Sequence, residues 1–364
     1  MRRKKDHKPG IILLVILAAA FAVFFTLAKR HPATPGKSSE NIVPTPLPPT
    51  PMAQPLDLTG KQVIVFAFDG SKAQDMWQES LDFAQQMKEE GKPIHFTYFI
   101  SGVYLLTYKN KTLYQPPLAP AGSSLIGYGD SKADVIRRIN QINRAVAEGH
   151  EIGSHLNGHF SGTNWTTQDW EQEFDQFEKL FTNVNANNQI DPNVAKLNLS
   201  LSDIVGFRAP DLGRNPSMLP VVKAHGFVYD TSATGKRGEW PLIENGIWEF
   251  PVASIRYANT TSSLLSMDYN FYIHQTNGRD LLKQGTDGWQ KALDDVYISY
   301  VNYFNSNYDS TKAPVLIAHH FSKWNDGVYW EAMKKFAAAE CGKPDVRCVS
   351  YKELVNYLNS QLPE

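Results

Sequence analysis

The stretch Glu151-Ile152-Gly153-Ser154-His155-Leu156-Asn157-Gly158-His159 sets two imidazoles four positions apart, with glycines beside them. On a helix that spacing would align both rings. Glycine is a poor helix-interior residue, however, and Leu156, not glutamate, follows the first histidine, as a helical zinc-protease motif would not allow. The stretch therefore reads as a strand end running into a loop. Neutral imidazole is a common ligand for zinc and similar cations, and a hydrolytic metal site takes three protein donors and leaves a place for water. Two histidines need a partner from elsewhere, and two ordinary loop histidines are the bland alternative.

Outward from this stretch the chain repeats one unit. Gln62 to Phe68 is a β-branched and aromatic run ending at Asp69-Gly70, the pattern of a buried strand. Helical spacing follows from Asp75 to Lys88, stopped by Gly91, and His95 to Ile100 reads as the next strand. Ser131 opens a helix through Ala147, stopped by Gly149 before the histidines, and Thr166 or Thr167 caps another through Phe181. Ile204 to Phe207 leads to Arg208-Ala209-Pro210-Asp211. Asn215-Pro216 starts a helix closed by Gly226, and Phe227 to Tyr229 leads to Asp230. Trp248 to Val252 is a further strand, Trp289 to Tyr303 a helix, Pro314 to Ala318 a strand ending in His319-His320, and Lys352 to Leu358 a closing helix. Alternating strands and helices predict an α/β fold with a parallel sheet. Polar residues recur after strands at Asp69, His155, Arg208, Asp230 and His319, and ligands of parallel α/β folds gather at that rim. One shared site is expected.

The segment from Gly102 to Gly129 is irregular and holds Tyr104, Tyr108, Tyr114 and Tyr128. A loop of this length suits either stacking of sugar rings on exposed tyrosines or local packing.

At 364 residues, with 42% hydrophobic and 12% aromatic content, the chain can bury one large core or two modest ones. A formal net charge of −1 gives no basic face for nucleic acid. Arg2, Arg3, Lys4, Lys5 and Lys8 precede an uncharged run from Ile11 to Ala28, followed by a poor cleavage site at Leu27-Ala28-Lys29. These features predict a basic cytoplasmic tail over 1–10 and a transmembrane signal-anchor over 11–28. The charge bias sends the rest of the chain across the membrane, to the periplasmic or extracellular face. Residues 29–55, rich in proline, serine and threonine, read as a spacer, and 56–364 as the catalytic domain. The only cysteines, Cys341 and Cys348, are expected to pair across a small loop in an exported domain.

Five short segments, in order over roughly residues 62 to 325, resemble the motifs of the polysaccharide deacetylase family, the NodB-homology domain of carbohydrate esterase family 4. Phe66-Ala67-Phe68-Asp69-Gly70 is similar to its Thr-Phe-Asp-Asp-Gly motif, with Asp69 at the metal-binding aspartate and Phe68 where the family carries its base aspartate. His155 and His159 match His-x-x-x-His, and Arg208-Ala209-Pro210 matches Arg-x-Pro. Asp230 with Trp240 or Trp248 matches a looser aspartate-tryptophan motif, and Ile317-Ala318-His319 matches Leu-x-His.

The resemblance implies a distorted (β/α) barrel of the polysaccharide deacetylase type. It also implies a divalent cation, zinc first and cobalt or nickel next, held by Asp69, His155 and His159. His319 would be the general acid, kept charged by Asp230, and Arg208 would orient the base. Trp240 or Trp248 and Ile317 would wall the substrate pocket. With Phe68 at the base position, Asp211, three residues from Arg208, is the first replacement candidate. The implied activity is hydrolytic removal of N-acetyl groups from an N-acetylglucosamine-type cell-envelope polysaccharide, peptidoglycan or chitin-like, by a metal-dependent enzyme. The alternative is a non-catalytic glycan-binding protein on the same fold that has lost its base.

Overall fold

The computed structural model describes residues 56–362. The expected tail, anchor and spacer over 1–55 lie outside the described residues. Among the described residues no helix is long and apolar enough to cross a membrane.

The strands are β1 (Gln62–Gly70), β2 (Thr97–Ile100), β3 (Glu151–Ser154), β4 (Gly206–Phe207), β5 (Tyr229–Asp230), β6 (Thr234–Lys236), β7 (Leu242–Glu244), β8 (Ile247–Glu249), β9 (Val252–Arg256), β10 (Ser263–Leu265), β11 (Val315–His320) and β12 (Val346–Cys348). The helices are α1 (Gln74–Glu89), α2 (Lys132–Ala147), α3 (Thr167–Thr182), α4 (Val184–Asn188), α5 (Met218–Ala224), α6 (Asp268–Thr276), α7 (Asp287–Tyr308), α8 (Trp324–Glu340) and α9 (Tyr351–Ser360). Capping chemistry sets several starts. The Ser131 side chain accepts from the Asp134 amide at α2, and Thr166–Asp169 and Ser350–Glu353 form reciprocal capping boxes at α3 and α9.

The main sheet runs β11-β1-β2-β3-β4-β5-β8-β7, parallel except for the β7–β8 hairpin pair. β12 pairs with the first residues of β1 on the side that β2 occupies further along. Among the described residues no ladder joins β7 to β11, so the expected barrel is open at that seam. A second sheet, β10-β9-β6, is separate.

Alternation along β1 divides two cores. Ile64, Phe66 and Phe68 pack toward α1, α2, α7 and α8 with Phe96, Tyr98, Ile152, Val315 and Ile317. Val63, Val65 and Ala67 pack on the inner face with Phe99, Tyr229, Leu316 and the α9 residues Tyr351, Leu354 and Val355. Gly153 on β3 is required by that inner packing, because an added Cβ would sit 2.6 Å from the Phe99 ring.

Three helices escaped the sequence reading: the five-residue α4, which lies in an asparagine-rich link, α6 and α8. α8 buries Val328, Trp330, Met333, Phe336 and Ala337 and has apolar residues around most of its surface, which erases the helical stripe. α6, nine residues long, has a similarly weak stripe. The irregular segment 102–129 forms two 3₁₀ turns, and Tyr104, Tyr114 and Tyr128 are buried, leaving Tyr108 exposed. Local packing, not an array of sugar-stacking tyrosines, accounts for three of the four. Cys341 and Cys348 are disulfide-bonded, as expected.

Candidate active site

The C-terminal ends of β1, β3 and β11, with the loop after β4 and the start of α6, enclose a cavity of about 210 Å³. Its walls include Asp69, His155, Asp211, Met267, Tyr269 and His320.

Strand register decides who faces it. β1 and β11 pair in parallel with Phe68 opposite His319 and Asp69 opposite His320. Residues in register share a face, so Asp69 and His320 look inward while Phe68 and His319 look toward the helices. Phe68 is fully buried among Phe96, Tyr98, Phe321 and Trp330. A carboxylate at that position would point away from the cavity. His319 is 1% exposed, and its Nε2 lies 3.0 Å from the Tyr300 hydroxyl. Burial drops its pKa to about 4 despite the nearby Asp268. The histidine of β11 that lines the cavity is therefore His320, and His319, the residue expected there, faces the helices.

His320 is held from α6. Its Nδ1 lies 2.7 Å from Asp268 Oδ1, and its amide donates to Asp268 Oδ2 at 2.9 Å. Asp268 is 1% exposed. Burial works against a charged imidazole, but the Asp268 carboxylate outweighs it and lifts the His320 pKa above its ordinary value. Sequence reading missed Asp268 because its helix was missed. The signal available was the doubled His319-His320, whose second member is the one in register with Asp69.

Asp69 is 4% exposed, and its Oδ1 accepts from Arg208 Nη1 at 2.7 Å. Arg208 is wholly buried, reaches Thr231 and Tyr351 as well, and lies over the Phe99 ring. Burial would raise the Asp69 pKa, but Arg208, with His155 and His320, holds it below the usual carboxylate range. Arg208 thus grips Asp69, the contact expected for the base carboxylate. Asp211, the replacement candidate, lies at the cavity wall but faces His159 at 3.8 Å, with its side chain more than half exposed.

His155 is 2% exposed and its Nδ1 donates to the Arg208 carbonyl at 2.8 Å, which fixes a neutral ring with Nε2 as the free acceptor. Burial lowers its pKa to about 3. The loop it opens is strained at Leu156 (φ 51°) and His159 (φ 62°). Buried Glu173 anchors that loop: Tyr114 donates to its carboxylate and accepts from the Gly158 amide, and Asn157 donates to its carbonyl.

The expected metal ligands fit such a group incompletely. Asp69 and His155 reach the same cavity, and the His155 and His159 rings lie 5.2 Å apart. Among the described residues, the only three acidic, histidine or cysteine side chains with donor atoms all within 4.8 Å of one another are Asp175, Glu178 and His225, none of which lines this cavity. Donors of a bound ion sit about 2.0–2.2 Å from it, so Asp69, His155 and His159 as arranged do not form a three-donor cage. At His225 both ring nitrogens are already engaged by Glu178 and Glu171.

Other expected residues fall elsewhere. Asp230 lies on the opposite face from Arg208, where its Oδ1 accepts from the Ser232 amide and hydroxyl, and it makes no contact with either histidine of β11. Ile317 is buried on the helical side, and Trp248 donates to Asn359 on α9. Trp240 borders a second cavity.

No protein-family model matches the chain, and no curated protein matches it in sequence. Solved structures do. A Mycobacterium smegmatis structure assigned as a polysaccharide deacetylase superposes with a TM-score of 0.51 at 15% identity, covering 84% of this chain and 96% of that one. A peptidoglycan deacetylase from Bacillus subtilis gives 0.42 at 11% identity, covering 84% and 95%. An allantoinase gives 0.47 at 11%, covering 84% and 93%. The first likeness shows the fold alone: the described part of this chain is folded like that structure.

Proposed function

We propose that this chain is a hydrolase that removes acetyl groups from an N-acetylglucosamine-type polysaccharide of the cell envelope. The observation that carries the reading is geometric: one cavity brings together a carboxylate, Asp69, gripped by Arg208 at 2.7 Å, and an imidazole, His320, held by Asp268 at 2.7 Å. Asp69, oriented by Arg208, accepts the proton of the attacking water. As the carbon–nitrogen bond breaks, His320, held by Asp268, gives its proton to the leaving amine. His155 offers Nε2 to position the water. The products are acetate and a free amino sugar. No step is routed through a cation, because the donor set does not fit one.

The substrate class rests on the motif resemblance and on the basic tail, apolar run and spacer, which would hold the domain at an envelope surface. The membrane and the cell-wall glycan are the partners proposed. Acetate release from purified wall glycan by the full chain tests the proposal. No release by the wild type, with and without added zinc, cobalt or nickel, overturns it. The spread of Asp69, His155 and His159, which do not close on one point, favours the second reading, a glycan-binding protein without turnover. That reading predicts glycan pulldown that survives His320→Ala and no acetate from either form.

A further inference from the structure

Asp230 ends β5 and Glu249 ends β8, and the two stand opposite one another in the parallel register of those strands. Asp230 is wholly buried and Glu249 is 7% exposed. Each carboxyl group spends one oxygen on the rest of the chain: Asp230 Oδ1 accepts from the Ser232 amide and hydroxyl, and Glu249 Oε2 accepts from Arg214. The other two oxygens, Asp230 Oδ2 and Glu249 Oε1, find no donor there. Two buried carboxylates side by side repel, and one proton shared between them removes the repulsion and partners both oxygens.

Among the described residues Arg214 is the only cation paired with them, 3.6 Å from Asp230 Oδ2 and against Glu249, and it also faces Glu244 of β7. Glu239 stands on the same cavity wall as Glu249 and Glu244. One guanidinium balances one negative charge, so the pair is matched with a proton and over-charged without it. Burial raises both carboxyl pKa values, and the Asp230 charge raises that of Glu249 further.

Two links run from this pair to the candidate active site. Ser232, whose hydroxyl donates to Asp230, accepts from the Ala209 amide at 2.7 Å, one residue from Arg208. Thr231 accepts from Arg208 Nε on its carbonyl at 3.4 Å and from Nη2 on its hydroxyl at 3.2 Å. Arg208 Nη1 in turn grips Asp69 at 2.7 Å. The turn 230–232 therefore supports the guanidinium that orients Asp69, and Asp230 anchors that turn.

We propose that Asp230 and Glu249 are positioning residues that share one proton, and that this proton keeps the 230–232 turn seated under Arg208 and so keeps Asp69 in place. When the proton leaves for solvent, two carboxylates face one guanidinium, the turn shifts and Arg208 loses support. The inference rests on the reading of Asp69 as the group that Arg208 orients. Because the folded pKa is raised, the stabilisation is fully present below the ordinary carboxyl value of 4.5 and is lost as pH rises through the raised value.

The test compares the full chain with Glu249→Gln and with Asp230→Asn, each of which supplies a permanent amide donor in place of the proton. Scanning calorimetry and amide hydrogen exchange, corrected for its own pH dependence, are the readouts. Between about pH 5.5 and 8.5 the wild type is expected to lose at least about 5 °C more in Tm than either variant. His320 titrates in all three forms and cancels in the difference. Exchange at residues 206–212 is expected to rise at least about fivefold over that range in the wild type and to stay within about twofold in the variants. An equal pH dependence of Tm in all three forms overturns the shared proton. A Tm difference without a change in exchange at 206–212 overturns the link to Arg208. Neither readout needs turnover, so a chain that shows both and releases no acetate sinks only the hydrolase reading, and a chain that releases acetate but shows neither sinks only this one.

Discussion

His320 and Asp268 meet through two contacts, ring Nδ1 to Oδ1 at 2.7 Å and backbone amide to Oδ2 at 2.9 Å, so the carboxylate fixes both the place and the charge of the imidazole. Replacing His320 by alanine is expected to lower kcat by about 10²- to 10⁴-fold, the usual worth of a positioned general acid. His319→Asn, one residue away, is expected to leave kcat within about twofold and to cost about 1–3 kcal/mol of stability by stranding the Tyr300 hydroxyl. Acetate assays with urea unfolding of both variants check this, and the reverse pattern would restore His319 as the acid.

The same contact sets a pH limit. His320 is raised above 6.5, so its protonated form persists past that pH, and activity is expected to fall only as pH rises through the raised value. The stabilisation that goes with it is fully present below about 6.5 and is lost over the same upper window. In Asp268→Asn, burial is opposed only by the Asp69 carboxylate, a lesser cause, and the alkaline limb of the kcat profile should move to lower pH. An unmoved limb would mean that another group titrates there.

Asp69 behaves in the opposite sense. Its pKa is lowered, so the stabilisation from its pairing with Arg208 is present above about 3.8 and is lost as pH falls through the lowered value. Arg208→Met would leave a buried carboxylate unpaired, at about 3–5 kcal/mol. A fall in Tm of about 10 °C is expected from scanning calorimetry. A Tm within two degrees of wild type would show that the pair is not buried in solution.

The spacing of Asp69, His155 and His159 makes a prediction about metal. Purified full chain equilibrated with zinc and then desalted is expected to retain well below one equivalent, and a chelator to leave kcat unchanged. One tightly held equivalent, lost in His155→Ala, would show that the loop closes His159 onto an ion and would reinstate the three-ligand site.

The closed loop between Cys341 and Cys348 is short, so reduction or paired substitution by serine should remove about 2 kcal/mol, since the loop-entropy contribution shrinks with loop length. Denaturant titration of the oxidised and reduced chain reads it directly. An unchanged midpoint would mean that β12 stays docked on β1 without the bond.

Much of the scaffold was legible because it obeys periodicity. β1, α1, α2, α3 and the strand before His319-His320 carry apolar residues at spacing 2 or 3.6, bounded by glycine or a capping residue. α8 and α6 lack such a stripe, one because it is buried on most sides and the other because it is short, and with α6 went Asp268. Of the site, Asp69, His155 and Arg208 were found from strand ends and motif order. The histidine of β11 was displaced by one, since a motif match counts positions along the chain while the sheet sorts neighbours onto opposite faces.

By itself the sequence determined the alternation of strands and helices and the collection of polar residues at one rim, because both follow from local pattern. Only the tertiary structure decided that Asp69 and His320 share a face while Phe68 and His319 do not, that Arg208 is bound to Asp69, and that Asp230 turns away toward Glu249. Those are matters of register between strands far apart in the chain, and a shift of one residue moves a side chain to the other side of the sheet.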